Sequence, residues 1–83
     1  MEFPVLKMGS RGQEVRRWQK FLSRNQGIKL DPASMALDGV YGPGTTQGTR
    51  TYQINKGLVS SGIVDSTTYV QAVEDGFDPI IDV

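Results

Sequence analysis

The sequence predicts an all-α fold, a small three-helix bundle with short extended connections and a partial internal repeat. Three observations predict it. An apolar stripe at helical spacing runs through residues 15–22, helix start and stop signals bracket three segments, and two short patterns occur twice. At 83 residues and 9.1 kDa the chain suits a single domain over 1–83, with a core of about 5–76 and a tail of 77–83. A chain of this size buries roughly 60–65% of its unfolded surface, which is one core and not two.

Val5-Leu6 is a short apolar anchor before Gly9-Ser10-Arg11-Gly12. Ser10 followed three residues later by Gln13 fits a capping box, so a helix is expected from about 12 to 25, stopped by Gly27. Val15, Trp18 and Leu22 at i, i+3 and i+7, with Phe21 beside them, form its inward stripe. Arg16, Lys20 and Arg24 fall at i, i+4 and i+8 on another face. Residues 26–37 read as an unusually long loop for so small a domain, and such length is often functional.

Asp38-Gly39 is a turn pair, with Gly39 expected at positive φ. Gly42-Pro43 opens a second helix over about 43–56, Pro43 being suited to the first helical position. Its inward stripe of Thr45, Gly48, Thr49 and Tyr52 is weak in apolar surface, and small residues there allow close backbone approach. Gly62-Ile63-Val64 is a short extended piece. Asp65 is the expected N-cap of a third helix over about 66–75, with Tyr69, Ala72 and Val73 apolar and Gly76 as the stop. The expected buried set is Val15, Trp18, Leu22, Tyr52, Ile63 and Tyr69.

Composition excludes much chemistry. With no Cys there is no thiol nucleophile, thiolate metal site or disulfide, and with no His the commonest general base and imidazole ligand are missing. Asp31, Asp38 and Asp65 are explained as turn and cap residues, and an acid pair for glycoside cleavage needs a deeper cleft than three short helices supply. No cofactor or metal is expected. Net charge is zero but segregated, +5 over residues 1–30 and −5 over 31–83. Neutral net charge and the lack of a recognition-helix signature argue against nucleic acid as the partner. No stretch approaches the 18 apolar residues of a membrane span. The first residues lack the basic and apolar regions of a signal peptide.

The internal repeat has two parts. Val15-Arg16-Arg17-Trp18-Gln19 recurs 34 positions later as Thr49-Arg50-Thr51-Tyr52-Gln53, and Gly39-Val40-Tyr41 followed by Thr45 recurs 23 positions later as Gly62-Ile63-Val64 followed by Thr68. Duplication points to an architectural role for Gln19 and Gln53, since an amide can tie a helix to an adjacent loop backbone. Trp18 and Tyr52 are expected in the core.

These pieces, in this order, resemble the peptidoglycan-binding domain family of three-helix modules found beside cell-wall hydrolases, endolysins among them. The resemblance runs through Gly9, Gly12 and Val15; Trp18-Gln19; Asp38-Gly39-Val40-Tyr41-Gly42-Pro43-Gly44-Thr45; Tyr52-Gln53; Gly57-Leu58; and Gly62-Ile63-Val64 with Thr68, about residues 6–73. The chain departs from the family pattern in Gly48-Thr49, where Ala-Val is usual, in Asp65-Ser66, where Gly-Pro is usual, and in the long 26–37 loop.

The resemblance implies non-catalytic binding of peptidoglycan, through glycan or stem peptide. It implies a partner hydrolase held near its polymer, and a place in the cell envelope, periplasmic, extracellular or phage-delivered. The expected site is a groove between the second helix and its loops, with Tyr41 and the 26–37 loop at its rim. Tyr41 has two readings, a core residue or a flat ring offered to a sugar or peptide. Asp38, Gly42, Gly44 and Thr45 surround it, and the backbone N–H groups opening the second helix can meet a carboxylate. Arg16 and Lys20 are either a solvated face or the captors of an anionic wall polymer. The alternative function is a protein–protein docking or structural module in a phage particle or envelope machine.

Overall fold

The computed structural model describes residues 4–24 and 38–77. They form three helices, α1 (Gln13–Arg24), α2 (Pro43–Asn55) and α3 (Ser66–Glu74), within a residue or two of the bounds expected. The 26–37 loop and residues 78–83 of the tail lie outside the described residues.

Each helix end has a local cause. Asp65 caps α3, its carboxylate accepting the Thr68 N–H at 3.1 Å. Pro43 opens α2 behind Gly42, which supplies extended backbone and no side-chain cap. Helix α2 closes at Gly57 (φ +72°), where Leu58 N–H reaches the Gln53 carbonyl at 2.8 Å and Gly57 N–H the Ile54 carbonyl at 3.1 Å. Helix α3 closes identically at Gly76, through Phe77 N–H to Ala72 and Gly76 N–H to Val73. Both are Schellman closures, which need a left-handed residue at that position.

The start of α1 differs from expectation. Ser10 forms no capping box; its hydroxyl accepts the Lys7 N–H at 3.1 Å within a turn, and the first helical bond runs from Arg16 N–H to the Gly12 carbonyl. The chain ahead of α1 is occupied elsewhere. Leu6 pairs antiparallel with Val64, and the stretch around Ser10 pairs with Val40 and Tyr41. One N-terminal strip thus laces both glycine loops to the body, and that strip spends the Ser10 backbone on Tyr41.

The core is a ring cluster centred on Trp18, which has no exposed surface. Phe21, Phe77, Tyr52 and Tyr69 surround it at centroid distances of 5.3, 5.5, 5.8 and 6.4 Å, the last three edge-on. Edge-to-face pairing suits the ring quadrupole. Phe77, placed by the sequence in the tail, is 6% exposed and belongs to this cluster, so the core runs one residue past Gly76. Ile63 is a second correction: it faces outward, and Val64 is buried instead. Successive residues of an extended segment point to opposite sides, and Val64 is the one bonded to Leu6.

Candidate functional site

Residues 38–40, ahead of α2, are held by Gln19. Its side-chain carbonyl accepts the Gly39 N–H at 3.0 Å, and its amide donates to the Val40 carbonyl and the Thr45 hydroxyl, both at 2.9 Å. Asp38 completes the turn: Oδ1 accepts the Val40 N–H at 2.9 Å and stands 3.2 Å from Gln19 Nε2. These bonds, Val40's first, hold the Asp38 carboxyl below its ordinary pKa. The carboxylate is exposed, but the oxygen Oδ1 is committed to the turn.

Of the two sequence readings of Tyr41, the core residue is the one observed, and the exposed ligand platform is corrected. Tyr41 is 1% exposed. Its hydroxyl donates to the Gly62 carbonyl at 2.6 Å and lies 2.8 Å from Thr49 Oγ1, which takes the Trp18 indole N–H at 2.9 Å. Burial, the dominant cause, pushes the phenol up to about 12. The reason is positional: Tyr41 stands in the first glycine loop where Val64 stands in the second, and both positions point at the core from a strip bonded to residues 6–10. Thr45 is buried too, and its hydroxyl is used by Gln19, so it is no ligand contact. Gly42 and Gly44 are half-buried at the start of α2, and the Gly42 carbonyl is taken by Thr46.

Arg16 is exposed, and its stem lies over Gly39. A Cβ placed on Gly39 would stand 3.0 Å from Arg16 Cγ and 3.1 Å from the Gly12 carbonyl oxygen, so only glycine, here at φ +74°, admits the contact. Lys20 is half-exposed one turn further along α1. Among the described residues neither Arg16 nor Lys20 has a carboxylate within 4.0 Å. The structure therefore lays exposed Arg16 over buried Gly39, next to exposed Asp38, and draws Tyr41 and Thr45 inward.

Thr49 is a residue whose role the sequence reading missed. Its hydroxyl joins Trp18 to Tyr41 in the interior and lies 2.8 Å from the Thr45 carbonyl. The signal was the Gly48-Thr49 departure: a buried hydroxyl needs partners, and a buried indole N–H needs an acceptor. Among the described residues no three acidic side chains converge on a metal-sized site, and no helix is long and apolar enough to cross a membrane.

Comparison with known proteins follows the same lines. The family model of the peptidoglycan binding domain matches residues 11–71. The endolysin of Burkholderia phage AP3 is similar at 30% identity and TM-score 0.74, over 93% of this chain and 27% of that one. The N-terminal domain of SleB is similar at 28% identity and TM-score 0.75, over 87% of this chain and 92% of that domain. A fused zinc-dependent amidase/peptidase/peptidoglycan-binding protein of Clostridium acetobutylicum is similar at 29% identity and TM-score 0.69, over 83% of this chain and 28% of that one. The chain thus spans about a quarter of the endolysin and nearly all of the SleB domain. A search of curated proteins finds no significant match. With the motif order, the three-helix fold and the family match in agreement, the chain belongs to the peptidoglycan-binding domain family.

Proposed function

We propose that this domain binds bacterial peptidoglycan without catalysis and holds a cell-wall hydrolase, attached or partnered, at its polymer. Family membership over residues 11–71 carries the reading. Two of the similar structures, the phage endolysin and the amidase/peptidase fusion, are several times longer than this chain, as expected of a binding module within a lytic protein. The setting is the cell envelope or a phage-delivered equivalent. The work done is local concentration: a weak site raises the effective concentration of a tethered catalytic domain.

The surface offered is the basic face of α1, Arg16 and Lys20, beside the Asp38–Gly42 loop and the backbone opening α2 at Gly42 and Gly44. Tyr41 supports this surface from below. Arg16, with no carboxylate within 4.0 Å among the described residues, suits bidentate capture of a stem-peptide carboxylate.

Sedimentation with insoluble peptidoglycan tests the reading. The chain is expected to pellet with the wall at low salt and less so as salt rises, since exposed charges are screened beyond about 8 Å at physiological ionic strength. Arg16→Glu with Lys20→Glu is expected to lower retention while the fold persists. Absence of co-sedimentation by the unaltered chain overturns the reading and favours a docking module.

A further inference from the structure

The internal repeat carries Arg16 into a second copy, Arg50, whose surroundings differ in one chemically important respect. Arg50 is exposed on α2 and lies over Gly62 as Arg16 lies over Gly39. A Cβ on Gly62 would stand 3.1 Å from Arg50 Nε, 3.3 Å from its Cγ and 2.9 Å from Thr46 Cγ2. The floor beneath the guanidinium is fixed from both sides. Gly62 N–H donates to Gln53 Oε1 at 2.9 Å, and the Gly62 carbonyl accepts from the buried Tyr41 hydroxyl.

The difference lies in the turn residue. In the first loop the charged Asp38 accepts the Val40 N–H; in the second the neutral Ser61 hydroxyl accepts the Ile63 N–H at 3.1 Å. The second loop thus keeps the turn and removes the anion. Asp65, the acid nearest in sequence, is turned onto the Thr68 N–H. Among the described residues no carboxylate lies within 4.0 Å of Arg50. Two exposed apolar side chains flank it and supply an apolar shelf in the reading that follows: Met8, 54% exposed, with its Sδ 4.0 Å from Thr46 Oγ1, and Ile63, 38% exposed, next in the chain to Gly62.

We propose that Arg50, with Met8, Thr46 and Ile63, binds the free carboxylate at the end of a short peptide whose small alkyl side chains rest on the shelf. The proposal rests on the peptidoglycan reading and names the component recognised: peptide, through its terminal carboxylate. A guanidinium takes a carboxylate through two parallel N–H bonds. A stem already seated on fixed backbone loses less freedom on binding than a free one. The apolar shelf favours a peptide over a phosphate polymer, which presents charge without alkyl surface.

The test is titration of the ¹⁵N-labelled chain with diacetyl-Lys-D-Ala-D-Ala, with its C-terminal amide and with inorganic phosphate. The acid is expected to shift the Gly62 and Ile63 amide resonances saturably, and the C-terminal amide to bind at least tenfold more weakly. Arg50→Met keeps a stem over Gly62 and removes the charge; it is expected to lose tenfold or more in affinity with unchanged melting. Equal binding of acid and amide, equal binding by Arg50→Met, or equal competition by phosphate overturns the proposal. If the peptide does not bind while the chain still sediments with peptidoglycan, the proposal fails and the wall-binding reading stands. If sedimentation fails as well, both fall.

Discussion

Gln19 and Gln53 hold two different loops by the same set of bonds. Gln19 Oε1 accepts from Gly39 at 3.0 Å and Gln53 Oε1 from Gly62 at 2.9 Å. Each amide donates to the carbonyl one residue on, Val40 or Ile63, at 2.9 Å. Each also reaches a threonine in the first turn of the next helix, Thr45 at 2.9 Å or Thr68 at 3.0 Å. The two glycines share φ values of +74° and +78°. Both glutamines are buried, so the sequence repeat is a repeat of one structural device, a helix clamping the loop and helix that follow it.

Removing either clamp should be costly. Gln19→Ala leaves the buried Gly39 N–H and the Val40 carbonyl unpaired, and Gln53→Ala leaves the buried Gly62 N–H unpaired and the Ile63 carbonyl with only the Ser61 hydroxyl, at about 1–3 kcal/mol for each unsatisfied group. We expect about 3 kcal/mol from either change, read as a shift in the urea midpoint at constant slope. A loss under 0.5 kcal/mol would show that water replaces the amide.

Tyr41 and Thr49 should behave as core residues. Tyr41→Ala is expected to cost about 3–5 kcal/mol, in the range of large aromatic truncations. Tyr41→Phe removes only the hydroxyl that meets Gly62 and should cost about 1–2 kcal/mol. Thr49→Val keeps the shape, strands the Trp18 indole N–H and should cost about 1–3 kcal/mol. Chemical denaturation of the three variants checks this order.

The glycines should rank by their surroundings. At Gly62 an added Cβ meets both a left-handed φ and atoms at 2.9–3.3 Å, whereas at Gly57 it meets the left-handed φ alone, with nothing within 4 Å. Gly57→Ala should cost about 1–2 kcal/mol, the left-handed penalty of an L-residue. Gly62→Ala should exceed it by the displacement of Thr46 and Arg50. Equal thermal melting of the two variants would contradict the close approach.

Stability should fall at both pH extremes for identifiable groups. Burial, the main cause at both Tyr41 and Tyr69, raises their phenols to about 12 in the folded state. Unfolded they titrate near 10. The raised value means their contribution is complete below about pH 10 and is lost as pH climbs through about 12. Asp38 and Asp75 are shifted downward, Asp38 chiefly by the Val40 N–H and Asp75 chiefly by the Tyr52 hydroxyl at 2.5 Å. Their contribution is present above the unfolded carboxylate value, about 4, and is lost as pH falls through the depressed folded values. Ultraviolet titration of the phenols should show Tyr41 and Tyr69 ionising with unfolding, and not before it.

Sequence by itself determined the three helices, because their causes are local. The α1 stripe of Val15, Trp18 and Leu22 has helical period, Pro43 and Asp65 start helices through their own chemistry, and Gly57 and Gly76 end them through their own dihedrals. It also determined that Gln19 and Gln53 are structural, because the duplication is written in the chain. Only the tertiary structure decided which way Tyr41, Ile63 and Phe77 face. Each sits beside a turn or a helix end, where no periodicity runs long enough to fix a direction. Leu6 pairing with Val64 turned Ile63 outward, the Thr49 and Gly62 partners drew Tyr41 inward, and the Trp18 ring cluster took up Phe77. The site reading moved with them. A ring with two readings, core or ligand platform, lies in the core, and arginines lie over both glycine loops, because burial is decided by partners distant in sequence.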